Sequence, residues 1–278
     1  MKHLSALVLV ASASFGQHLL LSEVSVTPNE AEFVEIYNPA STTVDLTNYY
    51  LCDLYGTSAA VAVFYPQLVA GTITSNANDF CVKFPNGATI APGDVITVAM
   101  SGTLYQTQFS APPDYELLNT GVGTMMTIPP NGFVGSAPGL TNSAEVVVLF
   151  HWNGSPDLVQ DVDYALWGSD ATRRVVKDGI SLDGPDSDTA PSTYCTDTAA
   201  ASQLPIATSA HPSGSSYQRA DFTEGSEVLT GGNGLTGHNE TSENMNATWA
   251  VAAYTPGYIS TGLVRNTWAE IKSLYNTN

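Results

Sequence analysis

Asp183-Gly184-Pro185-Asp186-Ser187-Asp188 places three carboxylates within six residues on a Gly-Pro turn that cannot continue as a helix. On such a loop the oxygens of Asp183, Asp186 and Asp188 can converge on one point, and hard cations such as calcium draw their ligands from loops of this kind. The spacing departs from the EF-hand, which needs glycine at its centre and glutamate at the twelfth place. The competing reading has these aspartates capping turns through backbone amides. A second polar cluster runs from Gly231 through Gly232-Asn233-Gly234 to His238-Asn239-Glu240-Thr241-Ser242-Glu243-Asn244. Here His238, Glu240 and Glu243 offer ligands for a divalent metal, and Glu240 and Glu243 share one face if the segment coils. The order is not the HExxH of zinc proteases, because a helix would splay His238 away from Glu240, and turn and cap chemistry is the alternative. The glycine run lacks the Lys-Ser/Thr ending and the preceding strand of a phosphate cradle.

Cys52 closes one strand-like segment and Cys81 lies in another, Asp79-Phe80-Cys81-Val82-Lys83. The pair is a candidate disulfide in an oxidising compartment, and two buried free thiols are the other reading. Cys195 stands alone in a polar loop, and no paired CxxC spacing supports a structural zinc. His151 flanks the Asn153-Gly154 turn, where an imidazole is ordinarily a surface residue. No GxSxG elbow is present, Cys195 and His211 have no orienting partner, and pairs of carboxylates carry little information in so acidic a chain. These residues point to a non-catalytic binding or attachment module. A divalent-metal-dependent hydrolase built on the acidic loops is the rival reading, and a structural component of an extracellular matrix or appendage is the third.

Charge narrows the partners. Lys and Arg number 8 against 26 Asp and Glu, a formal net charge of -18. Nucleic acid and anionic lipid require clustered cations, so both are excluded as partners. An extracellular protein, a glycan or another surface ligand is expected instead. Met1-Lys2-His3 followed by the apolar run Leu4 to Ala13, with small residues at Ala11, Ala13 and Gly16, reads as a secretory signal peptide over residues 1–16. Secretion or display on the cell surface is the expected location. No other apolar run reaches membrane-spanning length.

The elements that must position these groups are strands. Leu20 to Leu51 alternates as strand, turn at Pro28-Asn29, strand over Glu32 to Tyr37, break at Asn38-Pro39, and strand again from Val44. Phe33 and Ile36 face a core, whereas Glu32 and Glu35 need water or partners. Phe80 to Phe84, Val95 to Ala99, Glu145 to Phe150 and Leu158 to Trp167 continue the pattern, the last two joined at Asn153-Gly154 as a hairpin. Residues 53–78, 102–141 and 168–216 read as insertions, and the Gly- and Pro-rich stretch to Thr141 as a broad loop with one short helix. Val264 to Tyr275 spaces Trp268, Ile271 and Leu274 as one amphipathic helix, able to pack in cis or to mediate self-association.

Ser22-Glu23-Val24, Glu32-Phe33-Val34-Glu35-Ile36-Tyr37-Asn38 and Val44-Asp45-Leu46-Thr47-Asn48-Tyr49-Tyr50-Leu51 together resemble the opening of the lamin-tail domain. Further pieces follow in that family's order: Ala91-Pro92-Gly93-Asp94 before Val95 to Ala99, Ala144 to Leu149, Tyr217-Gln218-Arg219, Trp249 and Thr255-Pro256-Gly257. The resemblance spans about Leu20 to Gly257, within an expected domain of residues 17–257. It implies an all-β, immunoglobulin-like antiparallel β-sandwich and no particular activity.

Overall fold

The computed structural model describes residues 18–57 and 64–259. The expected signal peptide, the C-terminal helix and residues 60–63 of the Ala60 to Tyr65 piece lie outside the described residues.

Strands β1 (Leu20–Ser25), β2 (Phe33–Tyr37), β3 (Val44–Asp45), β4 (Tyr49–Cys52), β5 (Phe80–Lys83), β6 (Thr89–Ile90) and β7 (Val95–Ser101) precede helix α1 (Gly102–Phe109). After it come β8 (Tyr115–Leu118), β9 (Thr124–Met125), β10 (Phe133–Val134), β11 (Ala144–His151), β12 (Gln160–Gly168), β13 (Ser181–Leu182), β14 (Ser192–Thr193), β15 (Ser215–Arg219), helix α2 (Met245–Thr248) and β16 (Trp249–Ala253). A seven-stranded sheet in the order β16-β15-β1-β2-β7-β8-β9 packs on a five-stranded sheet in the order β10-β5-β4-β11-β12. The fold is an all-β, immunoglobulin-like sandwich.

One continuous core joins the sheets, with Val24, Val34, Ile36 and Val98 from the first and Leu51, Val82, Val148 and Phe150 from the second. Burying each such side chain is worth roughly 1.5–3 kcal/mol. The almost wholly apolar run of β11 has its explanation here: β11 and β12 are buried along nearly their whole length, between the other sheet and insertion residues such as Tyr65, which packs on Phe150. Glu35, expected to need water or partners, has partners: it is buried, its Oε1 accepting from Ser22 Oγ at 2.7 Å and its Oε2 from Gly257 N at 2.7 Å.

The stretch read as a broad loop from Gly102 to Thr141 is more ordered than its glycines and prolines suggest. Helix α1 folds over β2, setting Tyr105 and Phe109 edge-on to Phe33. That crossover returns the chain parallel to β7 as β8, with β9 beside it. Two-residue strands such as β9 and β10, each at the edge of its sheet, escape a reading by periodicity, since two residues carry no period.

The insertions hold the strands from outside. Tyr65–Leu68 forms a buried 3-10 turn, and Tyr194 and Ile206 reach the main core from the third insertion. These contacts cover Asp161 on β12, to which Tyr65 donates its hydroxyl.

Candidate metal centre

The charged side chains of the C-terminal half gather at the edge where the two sheets meet. Asp163 on β12 accepts from Leu21 N of β1 at 2.6 Å and from Arg219 Nη2 of β15 at 2.7 Å, so one carboxylate links both sheets. Arg219 is fully buried, with Nε on Leu21 O at 2.8 Å, Nη1 on Glu243 Oε1 at 2.9 Å, and its guanidinium carbon 4.9 Å from the Trp249 ring. Flanking carboxylates push the Arg219 pKa further up, so the guanidinium stays charged.

Beside this fork lies a ring of buried imidazoles and carboxylates. His18 precedes β1, Glu224 and Glu227 occupy the turn after β15, and His238 and Glu240 lie on the glycine-rich segment. All five are buried. The turn is tight: Glu227 N donates to Glu224 O at 3.1 Å, and Glu224 takes a left-handed φ of 53°, rare for a residue with a β-carbon. Asn239 N donates to Val228 O at 2.9 Å, which presses the turn against the glycine-rich segment. Glycine is required at two places there. A β-carbon on Gly232 would sit 2.0 Å from His238 O, and one on Gly234 would sit 2.6 Å from Glu240 Oε1.

Ligand atoms of His18, His238 and Glu240 lie within 4.8 Å of one another, and so do those of Glu224, Glu227 and His238. An ion bound at about 2.0–2.2 Å to each ligand separates opposite ligands by roughly 4.4 Å, so both trios have the dimensions of a coordination sphere. Glu224 Oε1, both oxygens of Glu227, Glu240 Oε2 and His238 Nδ1 have no hydrogen-bond partner. His18 Nε2 stands 3.2 Å from Glu224 Oε1, and His238 Nδ1 stands 3.3 Å from Glu227 Oε2. Burial drives the Glu227 carboxyl up to about 10 and raises Glu240 well above the carboxylate range, the neighbouring glutamates adding to both. Burial, with His18 alongside, lowers His238. Crowded carboxylates beside an imidazole whose charged form is disfavoured, that of His238, are the pattern that a divalent cation resolves, because it supplies the positive charge that protons otherwise provide.

The sequence-predicted residues divide around this ring. His238 and Glu240 belong to it, whereas Glu243 is not grouped with His238: its Oε1 accepts from Arg219 Nη1 at 2.9 Å and Thr248 Oγ1 at 2.5 Å, and its Oε2 from Arg219 Nη2 at 3.4 Å. Asp163 is spent in the same way, on Leu21, Tyr164 and Arg219. His18, Glu224 and Glu227 were not legible as ligands in the sequence. The one available signal was the Glu224-x-x-Glu227 spacing, which repeats that of Glu240-x-x-Glu243.

The aspartate loop behaves differently. Asp183 and Asp186 approach Asp157, whereas Asp188 is absent from that group and caps Ala190 N at 2.7 Å. Asp186 caps Asp188 N at 2.9 Å, and Asp157 accepts from Gly184 N at 2.9 Å and from Ser192 N at 3.0 Å. Backbone amides thus take one oxygen each of Asp186 and Asp188 and both of Asp157, the bonding of turn caps. Cys52 and Cys81 face each other directly across β4 and β5, and both thiols are free in this structure. The flanking bonds, Asp53 N to Phe80 O and Phe84 N to Tyr49 O, make theirs a non-hydrogen-bonded pair, in which side chains approach most closely. His151 stacks edge-on against Tyr49 at 5.1 Å, half-buried at the end of β11.

A profile of the Lamin Tail Domain matches residues 12–165, more than half of the 278. The chain belongs to the lamin tail domain family. Lamin tail domains are immunoglobulin-like and non-enzymatic, and the strands that carry the family's signature are β1, β2, β4, β7 and β11. The metal-ligand ring lies almost wholly beyond the matched residues, His18 alone falling inside them. Among solved structures, the lamin tail chain is similar to a DUF4876 family protein from Bacteroides thetaiotaomicron, at 15% identity and a TM-score of 0.44, over 91% of this chain and 75% of that one. None of the curated proteins matches it. Among the described residues no helix is long and apolar enough to cross a membrane.

Proposed function

We propose that this lamin tail protein is a secreted, non-catalytic binding or attachment module whose C-terminal half is locked to the sandwich by a buried divalent metal. The ligands are His18, Glu224, Glu227, His238 and Glu240. The observation that carries the reading is the closure of the ring: Glu224 Oε1, both oxygens of Glu227, Glu240 Oε2 and His238 Nδ1 accept or donate no hydrogen bond yet are shut away from solvent, with Glu240 2% exposed and His238 4%. A hydrolytic metal keeps an open position for water and substrate, whereas a structural metal is enclosed by protein. Nitrogen and oxygen ligands together favour a zinc-like transition metal over calcium, which takes oxygen alone.

Such a metal acts on the surface through the turn it holds. Asp221, Phe222, Thr223 and Ser226, on the outer side of the Glu224–Glu227 turn, line an open cleft of about 660 Å³ with Ala247 and Thr248. A ligand in that cleft meets a backbone fixed from within, which reduces the ordering cost of binding. An extracellular protein or glycan suits a surface of this acidity better than a polyanion does.

Elemental analysis of the purified chain, with thermal melts before and after EDTA, tests the proposal. About one equivalent of transition metal and a lower melting temperature on chelation are expected. A metal-free chain whose melt ignores both EDTA and added zinc would remove it.

A further inference from the structure

A second buried charge cluster lies on the same strand and plays no part in the metal ring. Lys177 Nζ donates to Asp161 Oδ2 at 2.6 Å and to the Tyr65 hydroxyl at 3.1 Å, and stands 3.0 Å from Asp197 Oδ2. The Lys177, Asp161 and Asp197 side chains are 0%, 4% and 1% exposed. Tyr65 donates its hydroxyl to the other oxygen of Asp161. The rings of Tyr65 and Tyr194 lie 5.7 and 6.0 Å from the ammonium, and Phe150 packs against Tyr65 at 5.2 Å. The two carboxylates have different partners. Asp197 accepts from Lys177 N at 2.8 Å and Asn233 Nδ2 at 2.7 Å, whereas Asp161 takes its side-chain bonds from the lysine and the tyrosine hydroxyl.

We propose that Lys177 and Asp161 condense to an intramolecular amide, with Asp197 as the proton relay, so that the third insertion is covalently tied to β12. The ammonium passes one proton along its hydrogen bond to Asp161, leaving a neutral amine and a carboxylic acid. The Nζ lone pair then attacks Cγ of Asp161, which the 2.6 Å contact to Oδ2 places within about 3.5 Å, the separation of a near-attack arrangement. A C–N bond forms, and the carbonyl electrons move onto Oδ1, where the Tyr65 hydroxyl stabilises the developing charge. Asp197 takes a second proton from the nitrogen and returns it to the departing hydroxyl. The C–O bond breaks, one water leaves, and Asp197 ends as the carboxylate it began as. One carboxylate and one ammonium have become one amide and one water, with no oxidant or co-reactant.

In bulk water the separate ions are favoured. Two things oppose that here. Fixed, aligned partners behave as though present at about 10⁵–10⁸ M, and a desolvated ion pair is costly to keep while a neutral amide is not.

The bond is read by mass spectrometry, independently of any metal. Trypsin cuts after Lys83, Arg173, Arg174 and Arg219, and after Lys177 only while its amine is free, so Asp161 and Lys177 fall on different peptides. The full-length chain, denatured in EDTA and digested, should yield one branched peptide lighter by one water than peptides 84–173 and 175–219 together. Asp197→Asn should return linear peptides, with cleavage after Lys177 restored. Linear peptides from the unsubstituted chain, a branch at Asp197, or a branch that survives Asp197→Asn would each overturn the assignment. The first of these needs no variant to fold.

Discussion

Arg219→Ala isolates the contact that fastens the two sheets. The guanidinium is the cation that Asp163 and Glu243 share, and both carboxylates are buried with it. Its removal leaves the two of them without their counter-charge, and breaking a buried pair from one side costs about 3–5 kcal/mol. Leu21 O loses its donor as well, for about 1 kcal/mol more. The sum is roughly 4–6 kcal/mol, which in a chain of this size lowers the melting temperature by about 10–20 °C. Urea unfolding followed by tryptophan fluorescence is the suitable assay, since Trp249 stacks on the guanidinium and reports the site directly. Arg219→Lys keeps the charge but loses the fork, so it should fall between the two. Adding Asp163→Asn and Glu243→Gln to Arg219→Ala should recover part of the loss, because the stranded charges disappear. A loss below about 1 kcal/mol for Arg219→Ala alone would show that the sheets are held by apolar packing, and the electrostatic account of this edge would fail.

Three further outcomes follow from the structure. Burial pushes Glu32 and Glu35 each up to about 8, so the folded chain holds protons there that the unfolded chain, at 4.5, has released. Their contribution is therefore full below pH 4.5 and is lost as pH rises towards 8, at up to about 1.4 kcal/mol per pH unit per group. Melts between pH 5 and 8 should decline and Glu35→Gln should flatten the decline, whereas an unchanged slope would contradict its burial. Glu227→Gln should abolish the response of the melt to EDTA while preserving the circular-dichroism spectrum of the sandwich; a response that persists would remove Glu227 from the ligand set. Mild oxidation should join Cys52 to Cys81 and spare Cys195, raising stability by roughly 3–4 kcal/mol through the loop it closes. Peptide mapping after alkylation checks this, and a bond to Cys195 would refute the register argument.

Much of the front half was readable because its chemistry is local. Phe33 to Tyr37, Val95 to Ser101 and the long run of β11 carry strand character in their own residues, and the family's signature rests on those same segments. The stretch from Gly102 to Thr141 was read less well, because α1 and the short strands after it are stabilised by what they lean on. Tyr105 and Phe109 have little helical pattern of their own until Phe33 lies beneath them. The site was half-legible for a similar reason. His238 and Glu240 stand two residues apart, but their companions Glu224, Glu227 and His18 come from other segments, and proximity across so many residues leaves no trace in spacing.

The chain's order of residues was enough to establish an acidic, strand-rich lamin tail protein, since net charge, alternation and turn chemistry depend only on neighbours along the chain. Tertiary structure alone decided which charges are buried together. Asp161 and Asp163 stand two apart on β12, yet a bulge sets them opposite the adjacent residues Phe150 and Leu149, and one meets Lys177 while the other meets Arg219. That division depends on the bulge, which gives Asp161 to the insertions and Asp163 to β1 and β15, and burial then multiplies the electrostatic consequence by removing the water that would otherwise have screened it.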